Sequence, residues 1–172
     1  MRTLILLFIG LLMLQSCNQP KNISNQEIED IKINIETLMN NWHKDAAETN
    51  YNQYFELMDS NSYFIGTDAT EHWTKQQFED FCKPYFDKGR AWDFKTIERN
   101  IYVSKAADVV WFDELLDTWM GICRGSGVLA KSNNTWKLQH YVLSIAIPNE
   151  DVEAVIDAKI NTDSVLINEI NQ

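Results

Sequence analysis

Cysteine, proline, glycine and positive charge are all scarce in this chain. Three cysteines in 172 residues are too few for a disulfide-stapled scaffold, and none stands in a C-x-x-C or Cys/His spacing of the kind that holds a metal. Three prolines and six glycines exclude fibrous and low-complexity architectures. Lysine and arginine number 15 against 25 acidic residues, a net charge of −10. With no basic patch, such a chain is not expected to bind nucleic acid. After Leu14 no apolar run is long enough to span a bilayer.

What is present begins at the N-terminus. Met1-Arg2 is a short positive start, and Leu4 to Leu14 is almost unbroken apolar sequence. That is the length of a signal-peptide core and short for a membrane span. Leu14-Gln15-Ser16-Cys17 follows and resembles the lipobox of bacterial lipoproteins, with Gln15 a looser fit. The resemblance implies a signal peptide over residues 1–16 and lipidation of Cys17. It also implies a tether over 17–25 and a place in the cell envelope, with contact to the membrane through lipid alone. Cleavage removes only Arg2 among the charged residues, so the remaining chain is more acidic still. Cys82 and Cys123 either form a bridge, which an oxidising compartment permits, or stand as two small buried residues, the favoured reading.

The remaining chain is the length of one domain with a real core. Ile28, Ile31, Ile35, Leu38, Met39 and Trp42 recur at helical spacing and predict a helix over 26–48. A short helix is expected over 51–58 and a short strand over 61–65. Thr74-Lys75-Gln76-Gln77 has the capping-box pattern, so a third helix runs over 74–88, ended by Gly89. The period then changes. Strands are predicted over 91–103, 108–119, 122–131 and 135–147, with Ser132-Asn133-Asn134 as a hairpin turn. Helices followed by a meander of strands give an α+β fold with helices on one face of an antiparallel sheet. The tail over 151–172 reads as a helical extension separate from the core.

Three stretches carry a family resemblance: "FIGTDATEHW", "VVWFDELLDTW" and "RGSGVLAKSNNTWKLQHYVLS", the last followed by "IPNE". Together they resemble the SnoaL-like branch of the nuclear transport factor 2-like superfamily over residues 26–150. That fold is a cone-shaped, cystatin-like roll: three N-terminal helices packed on a strongly curved antiparallel sheet. The resemblance implies a pocket between sheet and helices, and homodimerisation through the outer face of the sheet. It does not settle function, because the superfamily includes isomerases, cyclases, dehydratases and binding modules.

Strand alternation then assigns faces. Trp111, Asp113, Leu115, Asp117 and Trp119 share one face, and Val110, Phe112, Glu114, Leu116 and Thr118 the other. Trp136, Leu138, His140, Val142 and Ser144 are expected to share a face of the last strand. An acid/base enzyme on this scaffold would use Asp113 or Glu114 as base and His140, Tyr63 or Tyr102 as acid or oxyanion donor. No more than one of Asp113 and Glu114 faces the pocket. Many relatives carry a second histidine where Val142 stands, which weakens that reading. Arg124 stands in "CRGSG", whose two glycines permit close backbone approach; it either binds an acidic ligand or pairs with Asp113 or Glu114 across strands. Trp111, Trp119 and Tyr63 complete the candidate ligand contacts. Asp68, Glu71 and His72 in "GTDATEHW" are too few for a metal site and read as a turn, with Glu71 and His72 at the pocket rim. No cofactor or metal is expected. The preferred reading is a non-catalytic module binding a small hydrophobic or acidic molecule or a partner. The alternative is a small cofactor-independent isomerase or cyclase.

Overall fold

The computed structural model describes residues 23–172. The expected signal peptide, Cys17 and most of the tether lie outside the described residues. The elements, in chain order, are α1 (Asn25–Ala47), α2 (Tyr51–Glu56), β1 (Met58–Ile65), β2 (His72–Thr74) and α3 (Lys75–Asp87). Then come β3 (Lys95–Val103), β4 (Val109–Thr118), β5 (Gly121–Ser132), β6 (Thr135–Ile145), a 3-10 turn (Asn149–Asp151) and α4 (Val152–Ile170).

Local signals set the helix ends. Ser24 caps α1 and Thr74 caps α3, each in a reciprocal capping box. Gly89, at a φ of +64°, closes α3. Its N–H reaches the Phe86 carbonyl at 3.0 Å, and Arg90 N–H reaches Tyr85 at 3.1 Å. The β5–β6 hairpin turns on Asn133 and Asn134, both at positive φ.

The six strands form one curved sheet in the order β2-β1-β6-β5-β4-β3. The sheet is mixed, which corrects the all-antiparallel expectation. β3 to β6 are an antiparallel meander, but β6 lies beside β1 in parallel. A parallel pair needs a long crossover, and α3 with the whole meander supplies it. β2 falls within the stretch whose sequence reads as a turn, yet it pairs antiparallel with β1, Phe64 opposite Trp73. Three residues offer too short an alternation to register as a strand.

A bulge in β6 is the second departure. The β5–β6 register slips between Val128↔His140 and Leu129↔Leu138, so Gln139 is an extra residue. A one-residue slip turns every later side chain to the other face. Trp136 and Leu138 point inward as expected, but beyond the bulge Tyr141 and Leu143 are the buried residues. His140, Val142 and Ser144 lie on the opposite face.

α1, α2 and α3 cover the inner face of the sheet. Ile35, Met39 and Trp42 of α1 pack with Val110, Phe112 and Leu116 of β4 in a single apolar cluster. Cys82 and Cys123 are buried free thiols, and burial pushes the Cys82 thiol far above its ordinary range.

Candidate functional site

A cavity of about 380 Å³ opens between the inner face and the helices. Its wall is aromatic: Trp42, Tyr54, Phe64, Trp73, Phe78 and Trp92. The rings are in mutual contact, with Phe64 stacked on Phe78 at 3.8 Å between centroids and Trp42 stacked on Tyr54 at 4.7 Å. Phe81, Tyr85 and Trp119 line the cavity while 41%, 47% and 82% exposed, and so stand at its mouth; Met120, Thr67 and Glu71 also line it. Size and lining are those of a small-molecule site.

Beneath the cavity lies a buried charge network centred on Glu114, whose residue is 1% exposed. Glu114 Oε1 accepts from Tyr141 Oη at 2.8 Å and lies 3.0 Å from His43 Nε2. Glu114 Oε2 accepts from Arg99 Nε at 2.9 Å and Nη2 at 2.7 Å. Arg99 Nη1 reaches Asn40 Oδ1 at 2.8 Å and Glu36 Oε1 at 2.9 Å, and Nη2 donates to Thr96 Oγ1 at 3.0 Å. Both carboxylate oxygens are therefore doubly engaged. Burial alone would raise the Glu114 pKa, but His43, Arg99 and Tyr141 together outweigh it and hold it below the ordinary carboxylate range. The same burial, with the Glu114 charge, pushes the Tyr141 phenol well above its usual value. His43 and Tyr141 also line the cavity, so the network forms its polar floor.

The network is built from register. Arg99 on β3 stands directly opposite Glu114, and Gly125 on β5 flanks it on the other side. A Cβ at Gly125 would lie 2.3 Å from Tyr141 Oη and 2.8 Å from Glu114 Oε1. Gly125 thus leaves the space through which Tyr141 crosses to the carboxylate. The groups that approach the "RGSG" glycines are these side chains. At the cavity wall, a Cβ at Gly66 would strike Glu71 Oε2 at 2.1 Å. Glu71 folds back there to accept from Asp68 N–H at 3.1 Å.

The structure separates the residues singled out in the sequence. Glu114 faces inward, at the centre of the network. Asp113 lies on the outer face and accepts from Asn100 Nδ2 at 3.3 Å. His140 is turned outward by the β6 bulge, and Trp111 stacks on Tyr102 on the outer face. Arg124 is exposed, opposite Leu115 and Ser144 rather than Glu114. Tyr63 is half exposed and meets His72 outside the cavity. Trp119 stands at the mouth. Cys17 lies outside the described residues.

His43, Arg99 and Tyr141 were not among the sequence candidates. His43 had a signal: it follows Ile35 and Met39 at four-residue steps, a histidine on the core stripe of α1. Among the described residues, no group of His, Cys, Asp and Glu could hold a metal ion, and no helix is long and apolar enough to cross a membrane.

The sequence model of the SnoaL-like domain matches residues 35–148. The chain belongs to the SnoaL-like domain family. No curated protein sequence matches it closely enough to lend it a role. Among solved structures, it is similar to an NTF2-like protein of unknown function from Pseudomonas putida KT2440, at 10% identity and a TM-score of 0.60. That match covers 71% of this chain and 91% of the other. It is similar to the association domain of C. elegans CaMKII, at 16% identity and a TM-score of 0.59, over 70% of this chain and 100% of the other. A proposed ketosteroid isomerase from Parabacteroides distasonis matches at 17% identity and a TM-score of 0.51, over 64% and 86%. At such identities the likeness shows the fold alone. These neighbours include an association domain and a proposed isomerase, so the site itself must carry the functional reading.

Proposed function

We propose that this SnoaL-like domain is a small-ligand-binding module, lipid-anchored through Cys17 at the cell envelope, that takes a flat, largely apolar molecule into its aromatic cavity. The observation that carries this is the wall of stacked rings around about 380 Å³, set over a carboxylate with no free acceptor position. A carboxylate that accepts or shares four hydrogen bonds and titrates low is a poor base. Glu114 therefore acts as the anchor of the floor.

A neutral fluorescent probe, N-phenyl-1-naphthylamine, tests the reading. It should bind saturably at one site with enhanced emission. Leu143→Trp, which adds bulk to the cavity wall, should abolish binding while the domain still unfolds cooperatively. Absence of saturable binding to the wild-type domain refutes the proposal.

One observation favours a second reading. His43 Nε2 is tied to Glu114, while Nδ1 engages no described residue. An imidazole oriented by a carboxylate beside an apolar cavity is the layout of a general base, and it would serve isomerase- or cyclase-type chemistry. Under that reading His43→Gln abolishes turnover of an aromatic ketone or enone panel. Under the binding-module reading no member of the panel is turned over.

A further inference from the structure

We propose that α4 is a self-recognition element that pairs antiparallel with α4 of a second copy of this chain. α4 is a 19-residue helix without a single buried residue. None of its side chains joins the core, and it packs against the 3-10 turn that precedes it. Seven of its 19 residues are valine or isoleucine, which are weak helix formers. Most helical stability in proteins comes from packing an apolar face. A helix of this composition calls for a partner that its own domain does not provide.

The pattern identifies the partner. Val152, Ile156, Lys159, Asp163, Leu166 and Ile170 advance by alternating steps of four and three, the seam of a coiled coil. Ile156 and Ile170 are 49% and 74% exposed. The seam is also symmetric about Asn161. Val152 mirrors Ile170, Ile156 mirrors Leu166, and Lys159 mirrors Asp163. Two copies laid antiparallel about Asn161 would therefore match apolar with apolar at both ends. At the centre, Lys159 of each copy would face Asp163 of the other.

A parallel pair in register would instead oppose Lys159 to Lys159 and Asp163 to Asp163, and like charges in a seam select against that orientation. Within one helix Lys159 Nζ and Asp163 Oδ2 are 3.2 Å apart, so the two-copy arrangement makes a four-charge cluster from pairs already formed. A membrane surface is the wrong partner. Glu153, Asp157, Asp163 and Glu169 stand against Lys159 alone, and interfacial helices need a basic rim. The pairing is separate from the sheet's outer face and from the cavity.

Sedimentation equilibrium on residues 18–172 tests it. The wild-type chain should self-associate. Lys159→Glu and Asp163→Lys should each halve the assembly mass, because each sets like charges against one another. Mixing the two single variants should restore it. All four samples should share one core unfolding transition, since α4 does not touch the core. Orientation is read by cross-linking. The ends of α4 are about 27 Å apart, so Val152→Cys should cross-link with Ile170→Cys and not with itself. The inference is overturned if Lys159→Glu leaves the mass unchanged. It is equally overturned if Val152→Cys cross-links to itself as readily as to Ile170→Cys, or if a monomeric chain sediments with phosphatidylcholine–phosphatidylglycerol vesicles through α4.

Discussion

Arg99→Met would expose what the Glu114 network contributes. Both side chains are essentially inaccessible, at 1% and 0%, so solvent screening does not soften the loss. The substitution removes two charge-assisted hydrogen bonds at 2.9 and 2.7 Å and leaves one carboxylate oxygen buried without a partner. Breaking one side of a buried pair costs about 3–5 kcal/mol. Tyr141 and His43 still hold the other oxygen, so the lower end of that range applies, about 3 kcal/mol. The pH dependence gives the sharper test. In the wild type the folded pKa of Glu114 is depressed. Its stabilisation is therefore present above the unfolded value of roughly 4.3 and is lost as pH falls through the folded value. In the variant, burial acts with less opposition and the folded pKa rises, so the neutral carboxyl becomes the better buried form. The unfolded state is common to both proteins, so the gap should be widest at pH 7 and narrow as pH falls from the variant's raised folded pKa to the depressed wild-type one. Urea unfolding followed by tryptophan fluorescence measures both quantities. A cost under about 1 kcal/mol at neutral pH, against the 3–5 kcal/mol for a broken buried pair, would refute the reasoning. So would a gap that stays constant on acidification.

Two further outcomes follow from the same geometry and from the N-terminus. Gly125→Ala places a methyl carbon 2.3 Å from Tyr141 Oη; displacing the tyrosine from Glu114 should cost about 1–3 kcal/mol by overpacking, read by thermal unfolding, and a melting curve unchanged from wild type would show that the tyrosine is free to move. Cys17→Ser should leave an unlipidated chain, either released from membranes or unprocessed with its leader uncleaved, and undiminished membrane association with normal processing would count against the lipid anchor.

The elements were legible because each announces itself within a few residues. Ser24 and Thr74 mark helix starts, Gly89 marks an end, and alternation marks β4 and β5. Glu114 was legible for the same reason, sitting on one face of β4 with Val110, Phe112 and Leu116. The sheet's parallel β1–β6 pair was not, because the residues it joins lie on either side of α3 and the meander. His140 shows the limit of alternation most clearly. Steps of two from Trp136 put it on the face of Trp136 and Leu138, and one extra residue at Gln139 turns it away and puts Tyr141 there instead. Nothing local in "KLQHYVL" distinguishes a bulged strand from a regular one.

The partner of Glu114 raises the same problem at longer range. A buried carboxylate on a central strand requires a cation on a neighbouring strand, and two arginines were available, Arg99 and Arg124. Choosing between them depends on register, since a shift of one residue exchanges faces. The structure places Arg99 opposite Glu114 and gives the other flank to Gly125. That arrangement has a logic beyond pairing. An arginine on each side would leave the site with excess positive charge and no room for Tyr141. A glycine on one side admits the phenol, and with it a second strand's side chain reaches the carboxylate. His43 then brings α1 to the same oxygen as Tyr141. One carboxylate thus joins α1, β3, β4 and β6 directly under the aromatic cavity. Changes to the network should therefore alter cavity shape and stability together, whereas, on the binding-module proposal, changes at Trp119 on the mouth should alter affinity for the naphthylamine probe alone.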